Sequence, residues 1–169
     1  MKYLSLCLTA LLGLVLFNCK YAYKDELITV NNEFTMTVPD YLSKCDAVKE
    51  GATFQYCNHF RNTYVVVFSD KKDKDFQTYY NEQTAIIKKA LYKPMVNDSE
   101  AVTISGAKAI HTEIAGKMND ELIYYSLLTI ETPTKYYMDC VWTRGEERKL
   151  KYGKDIERIL YSFKLLDKK

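Results

Sequence analysis

Cys57-Asn58-His59 brings together two residue types that could do chemistry. In an extended segment, residues two apart share a face, so Cys57 and His59 point one way and Asn58 the other. A thiol beside an imidazole can ligate a metal ion, or the imidazole can activate the thiol as a nucleophile. Zinc needs three or four convergent donors. The only other imidazole is His111, so two ligands are too few and no metal is expected. Nucleophilic use also needs an oxyanion site, and the competing reading of His59 is a surface imidazole beside a disulfide or a half-buried thiol. Cys45 is the candidate partner of Cys57. A bridge would close the loop of residues 45–57 and stabilise the fold by roughly 3 kcal/mol; two free buried thiols are the alternative. Cys140 shares a strand face with Tyr136, Met138 and Trp142 and reads as an inert core thiol, where cysteine behaves as a small hydrophobe.

Tyrosine is the other conspicuous resource, with 15 in the chain and adjacent pairs at Tyr79-Tyr80, Tyr124-Tyr125 and Tyr136-Tyr137. In a strand each pair puts one ring on each face. If helices cover both faces the rings are packing. If one face is partly open, Tyr124, Tyr137 and Trp142 are the candidate binding surface, because such rings offer contact area and a polar edge. The chain contains no nucleophile elbow, phosphate loop or dinucleotide glycine pattern, and only 6 glycines. Catalytic residues and cofactors are therefore expected to be none. With 24 lysines and arginines against 22 acidic residues, the charge is too balanced for a nucleic-acid partner. Lys71, Lys72 and Lys74 are offset by Asp70, Asp73 and Asp75.

The elements that position these residues follow from periodicity. LITVNNEFTMTVP predicts two short strands around Asn31-Asn32, with Phe34, Met36 and Val38 on one face and Pro39 as the stop. Pro39 to Lys44 predicts a helical turn. Ala52 to Phe60 and Thr63 to Ser69 predict a hairpin whose second strand, Tyr64 to Phe68, is apolar throughout and suits a central position covered on both faces. Phe76, Tyr79, Tyr80, Ile86, Ile87, Ala90 and Leu91 fall at helical spacing. Asp73 or Asp75 caps that helix and Pro94 closes it. Asn97-Asp98-Ser99 reads as an exposed turn. Strands follow at Ala101 to Ser105, Lys108 to Ile114, Leu122 to Glu131 and Lys135 to Thr143, with turns at Gly106 and at Thr132-Pro133-Thr134. A second helix runs from about Leu150 to Tyr161, and the tail Ser162 to Leu166 returns to a sheet edge.

This order describes an α+β fold in which an antiparallel sheet is flanked by helices. Phe34 to Pro39, the Tyr64 to Phe68 strand, the Ile104-Ser105-Gly106 turn, the Tyr-rich hairpin and the closing Ser162-Phe163 resemble the PsbP-like sandwich. That fold is shared by the photosystem II extrinsic protein, Ran-binding Mog proteins and DcrB- or LpqN-type envelope lipoproteins. The resemblance covers about Leu27 to Leu166 and implies a non-enzymatic binding or assembly accessory.

Location is read from the N-terminus. Lys2 precedes an uncharged run, and its core, Leu4 to Phe17, is shorter than the about 20 apolar residues of a bilayer span. Leu16-Phe17-Asn18-Cys19 resembles a lipobox, departing from the usual small residue at Asn18. The resemblance implies a bacterial lipoprotein: signal peptide 1–18, lipid attachment at Cys19, a lipidated tether 19–26 and a single domain 27–169. More than one acyl chain would make that attachment stable. A cleaved soluble form and an uncleaved anchor are the alternatives. The expected protein is thus a membrane-anchored envelope accessory that binds an envelope protein partner. A carrier of an apolar or glycan ligand comes second, and a thiol-dependent enzyme using Cys57 or Cys140 third.

Overall fold

The computed structural model describes residues 24–46 and 48–166. The expected signal peptide 1–18, the expected lipid site Cys19 and the first part of the expected tether lie outside the described residues. The tether expectation ends too late: β1 (Asp25–Val30) already pairs Asp25 with Pro39 and Glu26 with Val38. Its partner is β2 (Phe34–Pro39). Asn31 and Asn32 make the connecting turn at φ of 50° and 53°, a left-handed conformation that asparagine tolerates better than most residues.

A large antiparallel sheet begins with β3 (Ser43–Lys44), β4 (Phe54–Asn58) and β5 (Thr63–Lys71). Where a helical turn is predicted, the chain makes one tight turn, with Leu42 N–H donating to Pro39 C=O at 2.9 Å, and then enters β3. α1 (Phe76–Lys89) follows, its Thr78 N–H donating to the Asp75 carboxylate at 2.9 Å. Next come β6 (Tyr92–Ile104), β7 (Ala107–Met118), β8 (Glu121–Glu131) and β9 (Lys135–Arg144). α2 (Glu146–Leu160) and β10 (Lys164–Leu165) end the described chain. Among the described residues the large sheet has the order β3-β4-β5-β9-β8-β7-β6, and β1-β2-β10 form a small one.

β5 is central, as its apolar run predicts: it lies between β4 and β9, and Val65, Val66 and Val67 are fully buried. Alternation then assigns every side chain to one of two layers. The inner face of the large sheet carries Val65, Val67, Leu128, Ile130, Tyr137 and Val141. These pack against Phe34, Met36 and Val38 of the small sheet and against Ile156, Ile159, Leu160 and Phe163. The outer face carries Tyr64, Val66, Tyr125, Met138, Cys140 and Trp142, with Ile87 and Leu91 packed over part of it. Phe76 and Tyr79 of α1 pack on Tyr136 of the same face.

Three further elements differ from expectation. α1 ends at Lys89, and Pro94 sits inside β6, between the Tyr92 and Met95 pairings where the register slips. β6 is an edge strand whose residues 92–101 are all exposed, so it lacks the alternating burial by which a strand is recognised; Asn97-Asp98-Ser99 lies on this edge. Gly116 allows the crossing, since a Cβ there would meet the Leu91 Cβ at 2.9 Å. α2 starts before Leu150 because Gly145, at φ 83°, turns the chain out of β9. Glu146 and Glu147 then occupy the first turn, where carboxylates suit the helix dipole. Gly153 therefore falls in mid-helix.

Candidate functional site

On the inner face, α2 diverges from the strands β6, β7 and β8 and leaves a cleft of about 680 Å³. Strand register sets its floor. The turn Ser105-Gly106, both at positive φ, places Glu100 opposite His111. The turn Asn119-Asp120, also at positive φ, places Glu113 opposite Ser126. Side chains two apart share a face, so Glu100, His111, Glu113, Tyr124 and Ser126 all look into the cleft. From the helix side Lys149, Leu150, Gly153 and Tyr161 close over them.

His111 is the hub. It is 8% exposed; its Nε2 is hydrogen-bonded to Ser126 Oγ at 2.9 Å, and its Nδ1 lies 3.7 Å from Glu100 Oε1. The Tyr161 ring meets it edge-on with centroids 5.5 Å apart. Burial, and then the Glu100 carboxylate, push the Tyr161 phenol up, so it remains a donor. Across the opening, Lys149 Nζ lies 4.0 Å from Glu113 Oε2 and 5.1 Å from the centre of the Tyr124 ring. Asp98, Glu100 and Glu113 line the strand side, and Glu146, Lys149, Lys154 and Glu157 stand opposite on the helix.

Serine, histidine and glutamate in that order are the types of a hydrolytic triad. The backbone argues for another use. Ser126 lies in the middle of β8, paired on both sides, with no sharp turn to thrust its hydroxyl outward. Acyl transfer also needs N–H donors aimed at the reacting oxygen, and ladder pairing occupies the strand amides around Ser126. The row Glu100–His111–Ser126 is better suited to holding and orienting polar groups of a bound molecule.

The three aromatic candidates do not converge. Tyr124 is half-buried in the cleft. Tyr137 faces the same layer but is 4% exposed. Its ring packs on Phe34 and Phe163, and its hydroxyl donates to Glu33 Oε2 at 3.0 Å. Burial first, then Glu33, pushes its phenol up to about 12. Trp142 is on the outer face, stacked on Tyr64 with centroids 5.0 Å apart and tilted against Tyr125. The platform expected from these residues is therefore divided between two layers, and Tyr137 is core.

The cysteines sort differently. Cys45 and Cys57 are joined as a disulfide, with Cα atoms 5.9 Å apart. His59 Nε2 lies 3.3 Å from Cys57 Sγ. Cys140 is free and buried, and desolvation pushes its thiol well above the ordinary range, the opposite of what a nucleophile requires.

His111, Ser126 and Glu100 are what sequence reading missed. Their signal was the register implied by two short turns, of which only Ser105-Gly106 was recognised.

No protein-family model matches this chain, and no curated protein matches its sequence. Solved structures do. Cyanobacterial PsbP (CyanoP) from Synechocystis sp. PCC 6803 superposes with a TM-score of 0.64 at 11% identity, covering 89% of this chain and 99% of that one. LpqN of Mycobacterium tuberculosis, involved in cell envelope biogenesis, gives 0.60 at 12% identity, covering 88% of each chain. The Ran-binding protein Mog1p of Saccharomyces cerevisiae gives 0.58 at 10% identity, covering 86% of this chain and 97% of that one. With its strand order, its two layers and these superpositions, the chain has the PsbP-like α+β sandwich fold.

Proposed function

We propose that this chain is an envelope accessory module, anchored to the membrane through lipidated Cys19, which grips a segment of a protein partner in the cleft between α2 and the sheet. The carrying observation is the cleft itself. It has a half-buried aromatic ring, a polar cluster on its floor in which His111 and Ser126 are hydrogen-bonded, strand carboxylates facing helix residues of both charges, and Leu150 standing 81% exposed on its rim. Apolar contact with a few convergent polar groups is how proteins fix an extended segment in one register. Two structures of this fold support the reading by their own roles: one protein binds Ran, and another is involved in cell envelope biogenesis. No helix among the described residues is long and apolar enough to cross a membrane.

A photo-crosslinking side chain placed at Leu150 in cells should give one discrete adduct in the membrane fraction. The same group at Ile86, exposed on α1 across the sheet, should give none. Equal labelling from both positions refutes the docking surface. Intact mass of the membrane-extracted chain tests the anchor, with a mature start at Cys19 plus acyl mass as the expected result.

The cleft volume also favours a second reading, a small-ligand carrier, because about 680 Å³ lies within the range of small-molecule sites. Native mass spectrometry of the extracted protein separates the two: a retained molecule of a few hundred daltons selects the carrier.

A further inference from the structure

On the outer face, away from the cleft, Cys45, Cys57 and His59 bring their Sγ, Sγ and ring-nitrogen atoms within 4.8 Å of one another. We propose that reduction of the Cys45–Cys57 disulfide opens a zinc site built from these two thiolates and the His59 imidazole.

The geometry is close to what zinc requires. Tetrahedral bonds of about 2.3 Å to sulfur and about 2.05 Å to nitrogen put the sulfur and nitrogen about 3.6 Å apart and two sulfurs about 3.8 Å apart. Cys57 Sγ and His59 Nε2 already stand at 3.3 Å, so that pair needs a shift of only a few tenths of an ångström. Only Cys45 Sγ has to withdraw from bonding distance. Cys57 is fixed on β4, whereas Cys45 lies past the end of the two-residue strand β3, where a small displacement breaks no long ladder.

The imidazole is already presented for a metal. Its Nδ1 lies 3.4 Å from the Tyr64 hydroxyl, which itself lies 3.4 Å from Asn62 Oδ1 as donor. With the Tyr64 proton directed to Asn62, the Tyr64 oxygen accepts from Nδ1–H. The Nε2 lone pair then points at Cys57. Second-sphere partners of this kind select the tautomer that binds metal. The fourth tetrahedral position opens on a hollow of about 580 Å³ that Asp46 also lines, so a carboxylate or a water completes the shell. Lys49 and Arg144 line the same hollow and favour the thiolates over the thiols.

The steps balance. A dithiol reductant delivers two electrons and two protons to the disulfide, giving two thiols and leaving as its own disulfide. Attack falls on Cys45, the more accessible sulfur, with Cys57, 2% exposed and beside His59, as leaving group. Zinc then binds both sulfurs as their protons pass to solvent. One staple replaces another, and the loop between β3 and β4 stays closed in either redox state.

The test is a zinc titration of the full chain in detergent against a chromogenic chelator, before and after phosphine reduction and anaerobic desalting. The expected result is one zinc per reduced chain and none per oxidised chain. His59→Ala keeps the disulfide, and its reduced form should bind zinc at least about tenfold more weakly, the lower bound for losing even an outer-sphere partner. Cobalt should give a thiolate-to-metal absorption band in the reduced wild type and none in the oxidised chain. Trp142 fluorescence reports folding throughout. If reduction unfolds the domain and zinc restores it, the site is supported; if zinc fails to restore it, the site is overturned. Equal uptake by oxidised and reduced chains, or equal affinity in reduced His59→Ala, also overturns it.

Discussion

His111 and Asp139 stand in one cross-strand row on the inner face, with Leu128 between them, and their surroundings differ sharply. His111 borders the cleft, bonded to Ser126 and approached by Glu100. Asp139 lies two strands further in, on β9 and fully buried, and its carboxylate oxygens have no well-formed hydrogen bond among the described residues, the Cys140 backbone N–H being the one donor that eases its burial. Desolvation pushes its carboxyl well above the usual range. The same layer thus holds a polar residue organised for contact and one that is a stability cost, and a single leucine separates them.

The largest expected effect comes from removing that divider. Leu128→Ala should destabilise the fold by about 2–5 kcal/mol in urea unfolding, since Leu128 is fully buried. It should also admit water toward Asp139, flattening the pH dependence described next.

Asp139→Leu should stabilise the protein by about 1–3 kcal/mol at neutral pH, by removing an unsatisfied buried group. The sign of the wild-type pH dependence follows from the raised carboxyl. Below the ordinary carboxylate range, folded and unfolded chains both hold the proton. As pH rises through that range the unfolded chain releases it first. Stability then falls until the folded Asp139 also ionises. Urea midpoints measured across this interval should slope downward in the wild type and lose that component in Asp139→Leu. An unchanged slope would mean that Asp139 is solvated.

On the other side of Leu128, Ser126→Ala should cost only about 1 kcal/mol, because the cleft lets water replace the lost hydroxyl on His111. Its larger consequence should be weaker crosslinking from Leu150, if the polar row orients the bound segment. The smallest effect should be at Gly153. A Cβ there meets nothing within 4 Å, so Gly153→Ala should stabilise α2 by at most about 1 kcal/mol while narrowing the cleft. A thermal melt and the same crosslink assay check both parts.

Legibility in the sequence followed burial. β2, β5, β8 and β9 carry apolar alternation or apolar runs because they are covered, and their positions were read correctly; of the two cap candidates, Asp73 and Asp75, it is Asp75 that caps α1. The exposed part of β6 carried no such pattern, and Pro94 inside it imitated a helix stop. The start of α2 was misplaced because Glu146 to Lys149 are polar and the turn depends on Gly145. Cys57 and His59 were seen as a pair, but the third donor of that corner comes from across the β3–β4 loop.

For the buried elements, local chemistry alone therefore determined which segments extend, which coil and which side chains share a face, because the strand pleat and the helix turn are short-range repeats. Tertiary structure decided which residues meet. Register across three strands brought Glu100, His111 and Ser126 into one polar cluster. The second layer turned Tyr137 into core and left Tyr124 in an open cleft. Packing that closes around Asp139 left its carboxyl little beyond the Cys140 backbone N–H to offset burial. Each depends on contacts between residues distant in the chain, which periodicity does not encode.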